Sequence, residues 1–204
     1  MKVFGIGLNK TGSTTLKICF KMLGYNPIGL KPKLLRQIKR GNFEETYSII
    51  KKYNAFQDLP WSLIYQEVDE QYPDSKFILT IRKDSETWYN SVLKHVQRAE
   101  LANDHIQKEL ALLAYGYPNP QDFQEELMAF YEKHNQEVKE HFSNRPEKLL
   151  TVCWETGSGW PELCSFLDKE IPSFEFPHAN KAADNLIAKN MERRRRNRRK
   201  KTII

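Results

Sequence analysis

One stretch near the start constrains this chain more than any other: Val3-Phe4-Gly5-Ile6, then Gly7-Leu8-Asn9-Lys10-Thr11-Gly12-Ser13-Thr14-Thr15-Leu16. The apolar run from Val3 to Ile6 reads as a buried strand. Gly7 to Ser13 are the glycine, hydroxyl and lysine types that wrap an anion. From Thr14 the period turns helical. Leu16, Phe20 and Leu23 repeat at i, i+4 and i+7, and Gly24 sits where a C-cap belongs. Strand, tight loop and helix N-terminus bring backbone N–H groups and the helix dipole to one point, which suits phosphate. Lys10 adds a full positive charge there, and Ser13, Thr14 and Thr15 add hydroxyl donors.

Two familiar phosphate loops do not fit. The Walker pattern needs Lys directly after the last Gly, whereas Lys10 precedes Gly12. The dinucleotide fingerprint needs Gly three residues after Gly7, and Lys10 stands there instead. What remains, G-x-x-K-T-G-[ST]-T-x-L after an N-terminal strand, resembles the 5′-phosphosulfate loop of sulfotransferases. Those enzymes take 3′-phosphoadenosine-5′-phosphosulfate (PAPS) as sulfuryl donor. The resemblance implies that Asn9, Lys10, Thr11, Gly12, Ser13, Thr14 and Thr15 hold the donor's phosphosulfate.

Further along, Lys33 to Arg40, Phe43 to Lys52, Leu63 to Tyr72, Glu86 to Glu100, Gln121 to Phe142 and Trp160 to Leu167 carry helical periods. Strands are expected at Asn54 to Leu59, Lys76 to Ile81 and Lys148 to Cys153; Asn26 to Pro32 reads as a turn-rich connection and residues 101 to 120 as irregular. Strands alternating with helices at this length predict an α/β fold: a parallel sheet between two helical layers, like the P-loop kinase-related sulfotransferase fold. Ligands in such folds sit beyond the carboxyl ends of the strands. Lys10, Asp58 and Arg82 each follow an expected strand, so the topology predicts one shared site.

Arg82 leaves its strand with a forked guanidinium that can grip a phosphate. Sulfotransferases hold the 3′-phosphate of PAPS with such an Arg and a Ser on the next helix, and Arg82 with Ser91 resembles that pair. The spacing is one residue longer than usual in the family, so Ser85 competes for the role. Asp58, in Gln57-Asp58-Leu59-Pro60, is a carboxylate placed to take a proton from an acceptor hydroxyl, or equally an N-cap for a helix near Trp61. His95, one turn beyond Ser91, is the rival base. Trp61, Tyr65, Tyr115 and Tyr117 are candidates for an acceptor pocket or for core packing. Near the C-terminus, Trp160-Pro161-Glu162-Leu163-Cys164-Ser165-Phe166-Leu167, then Pro172 and Phe176-Pro177-His178-Ala179-Asn180, resembles a signature of compact sulfotransferase-like proteins.

The charge of +6 over 204 residues misleads. Residues 193 to 201 hold six Arg and two Lys, and +6 less these eight leaves −2 for the rest. Basic character therefore belongs to a tail, residues 191 to 204, distinct from an α/β domain over 1 to 190. A solvated charge run is its default reading; contact with lipid, nucleic acid or an acidic glycan acceptor is the alternative. Cys19, Cys153 and Cys164 are odd in number and form no C-x-x-C pair, which fits reduced core thiols in a cytoplasmic protein. No apolar run reaches membrane-spanning length. The expected activity is metal-independent sulfuryl transfer from PAPS to a hydroxyl, less so an amine. Lys10 would stabilise the transition state, with Asp58 or His95 as base. A small-molecule or nucleotide kinase and a non-catalytic nucleotide-binding protein are the alternatives.

Overall fold

The computed structural model describes residues 1–101, 104 and 106–177. Five strands, β1 (Val3–Gly5), β2 (Pro27–Ile28), β3 (Ala55–Gln57), β4 (Lys76–Thr80) and β5 (Leu149–Val152), form one sheet in the order β2-β3-β1-β4-β5. Every pairing is parallel; Phe4 stands opposite Phe56 on one side and Phe77 on the other. The described residues form eight α-helices: α1 (Ser13–Met22), α2 (Pro32–Ile38), α3 (Glu44–Lys52), α4 (Tyr65–Gln71), α5 (Ser85–Leu101), α6 (Ile106–Tyr115), α7 (Gln124–His141) and α8 (Trp160–Leu167).

The strand period of two splits the core into two layers. Phe4, Phe56 and Phe77 point to one face, where they meet Ile50 of α3, Val68 of α4 and Val138 of α7. Phe4 stacks on Phe56 at 4.3 Å and on Phe77 at 5.7 Å between ring centroids. Val3, Ala55 and Ile78 point to the other face, against Leu16 and Phe20 of α1 and Leu163 of α8. A third cluster, built on Trp88, Val92, Leu110, Leu127 and Tyr131, joins α5, α6 and α7 beside the sheet. Cys19, Cys153 and Cys164 are buried free thiols.

Two elements differ from the sequence reading. β2 lies where a plain connection is expected; at two residues on the sheet edge it carries too little pattern to register. α6 falls in the stretch read as irregular. Its buried residues, Leu110, Ala111, Ala114 and Tyr115, are blurred by Leu112, which is also apolar but half-exposed. By contrast α1 ends as expected. Gly24 takes φ 90°, with Gly24 N–H on Lys21 O at 3.2 Å and Tyr25 N–H on Phe20 O at 2.9 Å, a Schellman closure. Residues 178–204, with His178, Asn180 and the basic tail, lie outside the described residues. No helix among the described residues is long and apolar enough to cross a membrane.

A buried ion cluster ties the helical layer to the sheet. Asp69 of α4 accepts from Lys148 at 2.6 Å, Arg145 at 2.7 Å and His141 at 2.8 Å, with its own side chain 5% exposed. Burial works to raise its pKa, but the hydrogen bonds from Lys148, Arg145 and His141 outweigh it and hold the carboxyl below its ordinary range. A depressed folded pKa gives stability that is present above the unfolded value, about 3.9. That stability is lost as pH falls through the folded value. Asp69→Asn leaves Lys148 and Arg145 without their anion; both still reach water, so the expected cost is about 1.5–3 kcal/mol. Urea unfolding of the variant near pH 7 checks the loss, and the acid limb of wild-type melting should flatten in it.

Candidate active site

The chain leaves β1 and enters α1 through a loop set by two left-handed residues, Lys10 (φ 67°) and Gly12 (φ 102°). Only glycine suits the second: an added Cβ would lie 2.3 Å from Cδ1 of Trp154. No side chain caps α1 and its first turn carries no acid. Its first intrahelical bond, Leu16 N–H to Gly12 O, is 3.0 Å. The positive end of the helix is thus left for an outside anion.

Other elements pin the loop. Trp88 of α5 donates Nε1–H to Asn9 O at 2.9 Å, and Arg82 donates Nε–H to Lys10 O at 2.8 Å. The Tyr115 hydroxyl donates to Asn9 Oδ1. Thr11 Oγ1 donates to Leu8 O and lies 2.6 Å from Thr80 Oγ1. The Thr11 side chain is buried as a brace and faces away from the cavity that its neighbours line.

This cavity, about 580 Å³, opens at the C-terminal edge of the sheet. Asn9, Lys10, Gly12, Ser13, Thr14, Thr15, Asp58, Arg82, Ser91 and His95 all line it. The strand-end argument thus places residues from β1, β3 and β4 correctly in one site. Arg82 Nη2 approaches Ser91 Oγ at 3.3 Å, whereas Ser85 turns to α7 and donates to Glu132 at 2.6 Å. Ser91, not Ser85, is therefore Arg82's partner in the cavity. The added residue is absorbed in the turn before α5.

Asp58 follows β3 with φ 72°, a left-handed conformation that Asp and Asn tolerate better than other non-glycine residues. It caps no helix; the short 3-10 turn Trp61–Leu63 begins at Pro60 without a side-chain cap. Its Oδ1 accepts Leu59 N–H at 2.9 Å and its Oδ2 accepts the Ser13 hydroxyl at 3.4 Å. Desolvation by surrounding protein raises its pKa; those two hydrogen bonds, Lys10 and His95 pull the other way. Lys10 is lowered by burial, with Asp58 opposing and Arg82 and Arg98 adding to the shift. His95 Nε2 lies 3.0 Å from Gln107 Oε1, and the same amide gives its nitrogen to Asp104 at 3.3 Å. Gln107 thus ties His95 of α5 to Asp104.

A family model described as "Sulfotransferase domain" matches residues 2–185, nearly the whole chain. This chain belongs to that family. A relative from Aspergillus versicolor, "Ava biosynthesis cluster protein M", is 24% identical over 213 aligned positions, covering 87% of this chain and 80% of the relative. The five-stranded parallel sheet with flanking helices is the fold the family implies.

The sulfotransferase domain also brings in residues that sequence reasoning missed. Glu155 Oε1 sits 2.5 Å from Arg82 Nη1, so a carboxylate already occupies part of the guanidinium fork. Trp154 packs over Gly12, and its buried indole N–H has no hydrogen-bond partner. Both follow β5, and extending the strand-end rule to that strand would have found them. Gln107 had no such signal, because α6 did not show in the pattern. Trp61 and Tyr65 take the core-packing alternative. Trp61 is fully buried, donates to Gly29 O at 3.0 Å and packs on Phe56. Tyr65 belongs to the same core, edge-on to His134. Tyr117 packs on Phe123 at 4.6 Å, and of the four only Tyr115 lines the cavity. Among the described residues no cluster of His, Cys, Asp and Glu is arranged to hold a metal ion.

Proposed function

We propose that this protein transfers the sulfuryl group of PAPS to an acceptor hydroxyl. The observation that carries the reading is the convergence of Lys10, Asp58 and Arg82 on one cavity floored by an uncapped helix N-terminus. The residues fit the donor. The loop and the mouth of α1 suit a 5′-phosphosulfate, and Arg82 with Ser91 suits a 3′-phosphate. The unpartnered Trp154 N–H offers a further donor beside the loop.

PAPS supplies an activated sulfuryl group; the chain supplies positioning and charge. Lys10 stands at the loop to offset negative charge gathering on the bridging oxygen as its bond to sulfur breaks. Asp58 has acceptor capacity left after its two hydrogen bonds, and its raised pKa makes it a better base than an exposed carboxylate. The acceptor oxygen forms the new O–S bond and its proton passes to Asp58. The bonding pair of the broken O–S bond leaves with the 5′-phosphate, giving 3′,5′-adenosine bisphosphate. His95, hydrogen-bonded to Gln107, lines the same cavity and is the rival base.

Calorimetric titration with 3′,5′-adenosine bisphosphate, beside 5′-AMP and ATP with and without Mg²⁺, tests the donor site. Selective, metal-independent binding of the bisphosphate is expected, falling at least tenfold in Arg82→Ala. Glu155 competes for the same guanidinium, so Glu155→Gln should tighten the bisphosphate severalfold and leave 5′-AMP unchanged. Preference for ATP with Mg²⁺ would establish a kinase instead.

A further inference from the structure

The cavity is chemically divided, and the strand order says how. Arg82 follows β4, while Trp154 and Glu155 follow β5; together with Ser91 they make one end polar and charged. Leu59 follows β3 and Leu30 follows β2, on the opposite side of the β1 loop. There α5 contributes Val92 and Val96, and α6 contributes Leu110 and Ala111. Asp58 stands between the two halves, after β3.

The apolar half has little to offer a polar guest. Its tyrosine hydroxyl, from Tyr115, is already spent on Asn9 Oδ1. Gln107 is bound at both ends of its amide, to His95 and Asp104. Among the described residues lining the cavity, the only lysine and arginine are Lys10 and Arg82, both at the loop and the charged end. A sugar entering this half would lose water from several hydroxyls and recover few hydrogen bonds, a cost of about 1–3 kcal/mol for each group left unmade. An acidic glycan would find no lysine or arginine among the described residues that line this half. Besides His95, which is already hydrogen-bonded to Gln107, the Asp58 carboxylate keeps acceptor capacity and can take the hydrogen of a single hydroxyl.

We infer that the acceptor is a neutral, largely apolar small molecule bearing one reactive hydroxyl, seated against Leu30, Val92, Val96, Leu110 and Ala111 with its oxygen at Asp58. This rests on the donor reading of the same cavity. A cavity of about 580 Å³ is within the range that small-molecule sites occupy, and a compact ring system suits it beside a nucleotide. Leu30, 40% exposed, forms an apolar rim through which such a molecule enters.

The test uses the full chain loaded with 3′,5′-adenosine bisphosphate and titrated with 2-naphthol, then with methyl glucoside as a polar hydroxyl compound of similar size. Transfer from PAPS to each is measured in parallel. Expected is naphthol binding at least tenfold tighter than the glucoside, with sulfate transferred to the naphthol. Ala111→Trp fills the apolar half and should weaken naphthol tenfold or more, while bisphosphate affinity moves less than twofold. Leu30→Arg, at an exposed position that cannot disturb the core, should weaken naphthol severalfold. Intact bisphosphate binding with a preference for the glucoside, or naphthol binding unchanged in both variants, overturns the acceptor class and leaves the donor site standing. Loss of bisphosphate binding in the wild-type chain overturns the donor reading and this inference with it.

Discussion

Asp58→Asn should abolish most turnover, lowering kcat by about 10²–10⁴-fold while the protein stays folded. The carboxylate is the group at the cavity floor with unused acceptor capacity, and the amide keeps its shape but not its basicity. Folding should not suffer. Asn tolerates the left-handed backbone that Asp58 holds at φ 72°, and the change removes a carboxylate held in a desolvated setting. The pH profile separates this from a merely structural role. Burial raises the Asp58 pKa, so the acidic limb of the wild-type kcat profile should lie above the ordinary carboxylate value of about 3.9. Activity is present above that limb and lost below it. In Asp58→Asn the limb should vanish; its persistence at the wild-type position would point to another base, His95 first.

Lys10→Ala should cost about 10²–10³-fold in kcat, or about 3 kcal/mol of transition-state stabilisation. Bisphosphate affinity should fall much less, because helix N-terminus, Arg82 and Ser91 remain to hold the nucleotide. That split distinguishes charge development at the bridging oxygen from simple ground-state binding. The position is also strained. Lys10 sits at φ 67°, so Lys10→Gly removes the same charge without the side-chain penalty at this backbone angle. Both variants should show the same kinetic loss if the ammonium is what matters. Single-turnover transfer from PAPS, at saturating donor, measures it. A loss confined to donor affinity would assign Lys10 to binding alone.

Most of the fold was legible because the signals are local. Val3 to Ile6 and Lys76 to Ile81 are continuous apolar runs, and both became sheet strands at β1 and β4. Helices with a clean stripe, such as α7 with Leu127 and Val138, showed in the period. β2 and α6 did not, one too short and one apolar on too many sides. The strand-end rule then gathered Lys10, Asp58 and Arg82 without any structure, since all three follow parallel strands and must meet at one edge.

What the sequence by itself determined was the loop between β1 and α1, that helix and the sheet edge on which Lys10, Asp58 and Arg82 meet, because these follow from residue type and spacing along a few dozen residues. Tertiary structure alone decided which side chains face the cavity. Thr11 turned inward to Thr80, and Ser91 rather than Ser85 met Arg82. Glu155, brought round from beyond β5, took up the guanidinium, and α6 supplied an apolar wall. Those outcomes depend on rotation about helix axes and on contacts between residues far apart in the chain. Periodicity predicts that an element has a buried face; only packing against neighbours decides what that face meets.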